Sequence, residues 1–298
     1  MSQATVNKRP AETRQKRSEL RNFCKRFCKN KLAVIGLIVF TLILLIVCIV
    51  PPFLPYTEEF IDVTAFSAPP SAQHLLGTDT VARDVLSRLL YGGRVSLFVG
   101  IASTAISVLI GIPLGMLAAF YRGWFEILVM RAADVFMTIP STILILFLVS
   151  MFGPSIVTVT VVIGVLGWTK FARQIYGSVL TVREKDYVEG GTAIGQRDSR
   201  IILRYILPNA IAPIFISITF RIASAIILES SLSFLGMGVQ MPAASWGNML
   251  YNAQSISILK DCAWMWLPPG LALVTTILSI NFIGNGLRDA LDPKTSIR

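Results

Sequence analysis

The sequence predicts an all-α integral membrane protein built on six transmembrane helices. Three observations carry that expectation. Hydrophobic residues make up 54% of the 298 and charged residues 15%, against roughly 25% charged residues in a soluble domain. Six stretches, 32–50, 95–119, 129–152, 155–172, 210–234 and 267–287, are long and apolar enough to cross a bilayer core. The basic residues then fall on one side of the topology those stretches impose.

Residues 1–31 hold ten of the 27 lysines and arginines. The net charge of +10 therefore reads as a cytoplasmic end beside an anionic leaflet. Nucleic-acid binding is not expected, because no basic helix elsewhere alternates with aromatic stacking residues. Leu20, Phe23 and Phe27 recur at helical spacing among the cations, which predicts a short amphipathic helix on the inner surface. Cys24 and Cys28, one turn apart, lack further Cys or His neighbours to complete a metal site. They read as plain juxtamembrane residues, with acylation or half a metal site as the other readings. With Cys48 and Cys262 they form no disulfide framework.

Leu32–Val50 is free of charge and closed by Pro51 and Pro52. The 31 residues before it are too long for a signal-peptide leader, and no small-residue cleavage site follows. Residues 51–94 form a polar extracytoplasmic segment. Within it Asp79 is expected to cap a helix over 80–92, apolar at Val85, Leu86, Leu89 and Leu90. The second span carries Ser103, Ser107, Gly111 and Gly115 every four residues, a stripe that lets helices approach closely in lipid. Pro113 and Pro140 are expected to bend the second and third spans. With residues 1–31 inside, the inner segments hold Arg122, Arg131, seven Lys and Arg between 169 and 208, Arg288, Lys294 and Arg298. The outer ones hold Arg83, Arg88, Arg94 and Lys260. Both termini are then cytoplasmic, with residues 289–298 a cytoplasmic tail and 95–288 the helical core.

Catalytic chemistry is missing. The one histidine, His74, lies outside the predicted spans, so no HExxH metal site and no intramembrane Ser–His pair can form. No lysine follows a glycine, so no phosphate loop exists. Energy from ATP would have to enter through another chain. Three ionisable residues fall inside predicted spans: Asp134, Arg221 and Glu229. Each costs about 2.5–3.5 kcal/mol at mid-membrane and should face protein or a water-filled path. They line a substrate route, or they hold helices together, Arg221 pairing with Asp134.

The stretch 183–208, between the fourth and fifth spans, is too polar to cross lipid yet too patterned for disorder. Residues 184–194 predict a short helix ended by Gly195. Asp198 and Ser199 are expected to cap a second helix running to Pro208. Gly190 and Gly191 each cost about 1 kcal/mol relative to alanine inside a helix. Close approach of a partner surface would compensate; the bland alternative is a loop with a bend.

The order Glu189, two small residues, Gly195, then Leu207-Pro208 resembles the "EAA" loop of bacterial ABC importer permeases, with Gly190-Gly191 for the usual Ala-Ala and Tyr205 for the usual Ile. Residues 75–97, LLGTDTVARDVLSRLLYGGRVSL, are similar to the outer segment of the oligopeptide/dipeptide (peptide/nickel) permease family, C-type subunit, with Ala82 for a usual Gly. LESSLSFLGMG at 228–238, Ala244-Ser245-Trp246-Gly247, and GNGLRDALDPK at 284–294, with Asn285 for a usual Asp, resemble its fifth span, outer loop and tail. The resemblance implies a type I permease bundle in the bacterial cytoplasmic membrane, itself without catalysis or cofactor. It would pair with a homologous permease, two ATPase subunits that bind ATP and Mg, and an extracellular solute-binding protein. Glu189, Gly190, Gly191 and Gly195, flanked by Arg183 and Asp186, would contact the ATPase. Peptides are the expected substrate, with nickel or metal chelates the alternative inside the family and a secondary carrier the rival outside it.

Overall fold

The computed structural model describes residues 23–291, and among these there is no β-strand. Residues 23–29 are helical, and Phe27 packs beside Gly286. Leu20, and so part of the predicted amphipathic helix, lies outside the described residues, as does the tail beyond Leu291.

α1 (Lys31–Ile49) is capped by the Asn30 side chain, which accepts from the Ala33 amide at 3.1 Å. α2 (Val85–Tyr121) is 37 residues long. This corrects the expected separate helix over 80–92, and places the predicted 94/95 boundary inside one continuous rod. The reason lies in Gly92 and Gly93. A Cβ on Gly92 would stand 3.1 Å from the Ser245 backbone, and one on Gly93 2.8 Å from the Trp246 ring. The pair is a packing notch, not a break. The cap is also corrected: Asp84 accepts from the Ser87 amide at 2.7 Å, while Asp79 is buried in an ion pair with Arg83 at 2.8 Å. α2 runs through Pro113 without ending.

The third span is two helices, α3 (Gly123–Thr138) and α4 (Ser141–Phe152), at 89° to one another. Pro140 lacks an amide proton and forces Ile139 into extended backbone, φ −89° and ψ 130°. The predicted bend is therefore a right-angled break. α5 (Ile156–Leu166) and α6 (Trp168–Arg183) meet at Gly167 and extend the fourth span well beyond 172. After α7 (Asp186–Ala193) and α8 (Asp198–Ile201), a π-helical turn over Ile202–Ile206 leads into α9 (Leu207–Ala210). The helix thus passes Pro208 instead of ending there. The Leu207 amide bonds to the Ile202 carbonyl, widening the turn ahead of the proline ring. Its N-cap is Arg197, with no side-chain cap, so Asp198 and Ser199 do not cap as expected. α10 (Ala212–Phe234), α11 (Trp246–Leu250), α12 (Ile256–Asp261) and α13 (Ala263–Leu291) complete the chain.

Five helices are long and apolar enough to cross a membrane, and the bent α3–α4 pair makes a sixth span. α2 is the central post, packed on α5, α6 and α10, while α1 lies along α13. The small-residue stripe does what its spacing predicts. Ser107 donates to the Gly164 carbonyl at 2.7 Å, and a Cβ on Gly111 would lie 2.5 Å from the Trp168 carbonyl oxygen.

Residues 51–84 form an irregular polar cap. His74 is buried, stacked on Tyr56 at 5.0 Å, with Nδ1 2.9 Å from Asp84 and Nε2 3.4 Å from Asp62. The cap is tied to the α10–α11 loop, because the Ala244 amide donates to Glu58 at 2.6 Å, while the Trp246 indole joins α11 to α2 through the Leu89 carbonyl at 2.9 Å.

Candidate functional site

The loop 183–210 folds as a helical hairpin beneath α2 and α6. α7 ends in a paired turn: the Gly195 amide bonds to the Thr192 carbonyl at 2.9 Å, and the Gln196 amide to the Gly191 carbonyl at 3.1 Å. Gly195 has φ +71°, the left-handed backbone this termination requires. Asp186 and Glu189 sit in the first turn, where carboxylates complement the positive end of the helix dipole.

One side of α7 is sewn into the bundle. Val188, Ile201, Ile202 and Ile206 share a single apolar cluster with Ile112 and Met116 of α2 and Phe171, Ile175 and Val179 of α6. The other side is open. Glu189, Gly190, Thr192 and Ala193 are exposed. The two glycines part company here. A Cβ on Gly190 meets nothing within 4 Å, whereas one on Gly191 would touch Ile201 and Tyr205, each at 4.0 Å. Gly191 and Tyr205, both unusual for the loop, are thus neighbours, the large ring beside the smallest residue. Gly190 lies on the open side of the helix.

Arg183 is anchored rather than loose: Nη1 donates to the Ala119 carbonyl at 3.3 Å, and the guanidinium lies 5.7 Å from the Phe120 ring centre. It lines a cavity of about 690 Å³ between the end of α2 and α7, with Arg122, Val188, Glu189, Thr192 and Asp198. Arg122, named from sequence only as an inner-segment cation, lies 3.9 Å from Glu184 and adopts φ +58° where α2 turns into α3.

The three intramembrane ionisable residues do not meet. Asp134 pairs with Arg173 of α6, and stands 3.7 Å from Arg131. The expected Arg221–Asp134 pair is therefore absent: Arg221 Nη2 donates to the Ile163 carbonyl at 2.8 Å. That carbonyl also accepts the Gly167 amide at 3.2 Å, so helix and guanidinium share it. Glu229 is fully buried inside a serine cage, accepting from Ser96 at 2.9 Å and Ser233 at 2.8 Å, with Ser230 at 3.4 Å. It has no exposed surface and joins α10 to α2. The clue in the sequence is the serine run following Glu229. Glu229→Gln keeps the shape and the hydrogen bonding, so folded yield should match the parent. Glu229→Leu strands the hydroxyls, costing about 1–3 kcal/mol and lowering folded yield in fluorescence-detected size exclusion. Equal yields for the two variants would remove the cage's structural role.

Residues 111–297 match the family described as binding-protein-dependent transport system inner membrane component, and residues 18–70 match the N-terminal TM domain of oligopeptide transport permease C. A putative peptide permease protein of Brucella suis biovar 1 is 42% identical over 91% of this chain and 90% of its own length. The dipeptide transport system permease protein DppC of Alkalihalophilus pseudofirmus is 35% identical over 93% and 90%. The oligopeptide transport system permease protein OppC of Haemophilus influenzae is 37% identical over 91% and 87%. A solved inward-facing structure of the MetNI methionine ABC transporter shares the fold, with a TM-score of 0.56 at 18% identity over 69% of this chain and 96% of that one.

Proposed function

Because this chain belongs to the family of binding-protein-dependent transport system inner membrane components, we propose that it is the C-type permease subunit of an ATP-driven ABC importer that carries peptides inward. The subunit is a multi-pass inner membrane protein and a non-catalytic one. The peptide assignment rests on relatives whose names specify dipeptide and oligopeptide transport. Nickel or metal-chelate import is the alternative within the family.

The observation that carries the mechanism is the two-sided hairpin: an open face at Glu189, Gly190 and Ala193, and a closed face continuous with the core. We assign the open face to a groove on an ATPase subunit, with a second homologous permease taking another ATPase alongside. ATP and Mg are held by those subunits, and both termini of this chain share their side. A solute-binding protein on the far side hands over its cargo above the 51–84 cap. Closure of the ATPase pair pulls on α7. The shared apolar cluster passes that displacement to α2 and α6, and the bundle exchanges outward for inward access. Arg183, Asp186 and Gly195 position the contact, the first by its anchor on α2 and the last by ending the helix. Among the intramembrane residues Arg221 is the one assigned to the route, since Asp134 and Glu229 are held by Arg173 and the serines.

Co-purification with the products of neighbouring genes, followed by ATPase assays in proteoliposomes, tests this reading. Binding protein loaded with short peptides should raise ATP hydrolysis several-fold. Stimulation by nickel chelates alone overturns the peptide assignment, and recovery of an active transporter without any ATPase subunit overturns the importer assignment.

A further inference from the structure

A broken membrane helix faces an unbroken one across a small space. α3 and α4 break at Pro140, opposite Gly167, where α5 and α6 join in one helical stretch. Non-helical backbone at membrane depth survives only where protein or a water-filled cavity receives it. Here the space between is a cavity of about 260 Å³, to which Pro140, Ser141, Gly167, Thr169, Lys170 and Arg221 contribute and whose other walls are apolar.

The electrostatics of that cavity have one sign. Lys170 and Arg221 line it and no carboxylate does. Neither cation makes an ion pair among the described residues. Arg221 has a single hydrogen bond, from Nη2 to the Ile163 carbonyl, and its buried Nε has no partner. α4, 12 residues long, starts at the cavity with no side-chain cap and no acidic residue in its first turn. Its first amides and the positive end of its dipole add to the two cations. Gly167 keeps the guanidinium in place by having no side chain, since a Cβ there would collide with Arg221 Nη2 and Ser107 Oγ.

We propose that this cavity is an anion subsite on the translocation route, which takes the C-terminal carboxylate of the passing peptide. The proposal rests on the peptide reading given above. Its volume is below the about 300–1,000 Å³ of whole-ligand pockets, so it suits a terminal group and not a whole peptide. A terminal carboxylate is common to all free peptides, which fits a site that ignores side chains. The Ile163 carbonyl already holds one guanidinium nitrogen, and this keeps the anion's hold weak enough for release, as conduction requires.

The test uses the full complex in proteoliposomes with its binding protein, a tripeptide, and the C-terminal amide of that tripeptide, both first shown to load the binding protein. Arg221→Gln should slow uptake of the acid about tenfold or more while changing uptake of the amide about twofold at most. Arg221→Lys should retain part of the acid uptake. Lys170→Gln, altering an exposed side chain, should give a smaller acid-selective loss, and it carries the test if Arg221→Gln fails to accumulate. Equal losses for acid and amide, or unchanged acid uptake in both charge-neutral variants, overturn the subsite. So does an acid-selective loss that vanishes in vesicles without anionic lipid, which would assign the cavity to a phosphate headgroup. Absence of any peptide uptake by the parent complex, with ATPase stimulation by another solute, would instead refute the peptide reading itself.

Discussion

Replacing Gly190 by tryptophan is expected to abolish ATP-driven uptake without harming the folded subunit. The Cβ position at Gly190 meets no atom within 4 Å, so the ring finds open space in the isolated chain. Its cost arises only where a partner's groove closes over α7. Overfilling a packed contact costs typically about 1–3 kcal/mol, and a whole indole in place of a hydrogen more. Uptake in proteoliposomes should fall at least about tenfold, with loss of ATPase co-purification, while thermal stability in detergent stays that of the parent. Gly191→Trp should behave differently. Its side chain runs into Ile201 and Tyr205, so the hairpin itself is displaced and stability falls together with uptake. Sequence reasoning treats the two glycines alike; their surroundings separate them. Full uptake by the Gly190 variant would show that the ATPase docks elsewhere.

The second large effect belongs to the bundle. Gly115→Leu should leave little monodisperse protein after extraction. A Cβ at Gly115 would already collide with the Ala172 carbonyl oxygen and lie 2.6 Å from Ile175 Cγ2. A backbone carbonyl cannot swing aside, so α2 and α6 must separate, and every close contact along the stripe opens with them. Gly115→Ala should cost about 1–3 kcal/mol. Gly177→Ala is the control. It lies in α6 with nothing within 4 Å of its Cβ position, and should be neutral or stabilising by up to about 1 kcal/mol. Thermal unfolding followed by fluorescence-detected size exclusion separates the three. A Gly115→Leu protein as stable as the parent would mean that the stripe carries no packing.

Much of the fold was legible in hydropathy, because a 19-residue uncharged run such as that in α1 has few other solutions in water or lipid. The small-residue stripe was equally plain, since a period of four residues maps onto one helix face. What escaped depends on tertiary partners. Gly92-Gly93 looks like a stop until Trp246 is set against it. Asp79 looks like a cap until Arg83 folds back onto it. Pro140 announces a bend but not its 89° extent. In the candidate site, the hairpin and its terminating glycine could be read directly. Which glycine faces outward could not, because that depends on where α8 and Tyr205 lie. The fate of Arg221 was hidden for the same reason: its acceptor is a main-chain oxygen, and no residue type signals one.

The inner face of the hairpin bears on how interchangeable such loops are. Val188, Ile201 and Ile206 are core residues of the bundle as much as Ile112, Phe171 and Ile175 are. A loop transplanted from a relative with different residues at these positions would arrive without its complementary seat. Its recognition surface could be correct and the graft still slack. On the proposed assignment, partner choice and transmission lie on opposite sides of the same eight-residue helix. A chimaera that exchanges only residues 183–210 should bind the donor's ATPase yet run futile cycles of hydrolysis, and moving the seat residues of α2 and α6 along with it should restore transport.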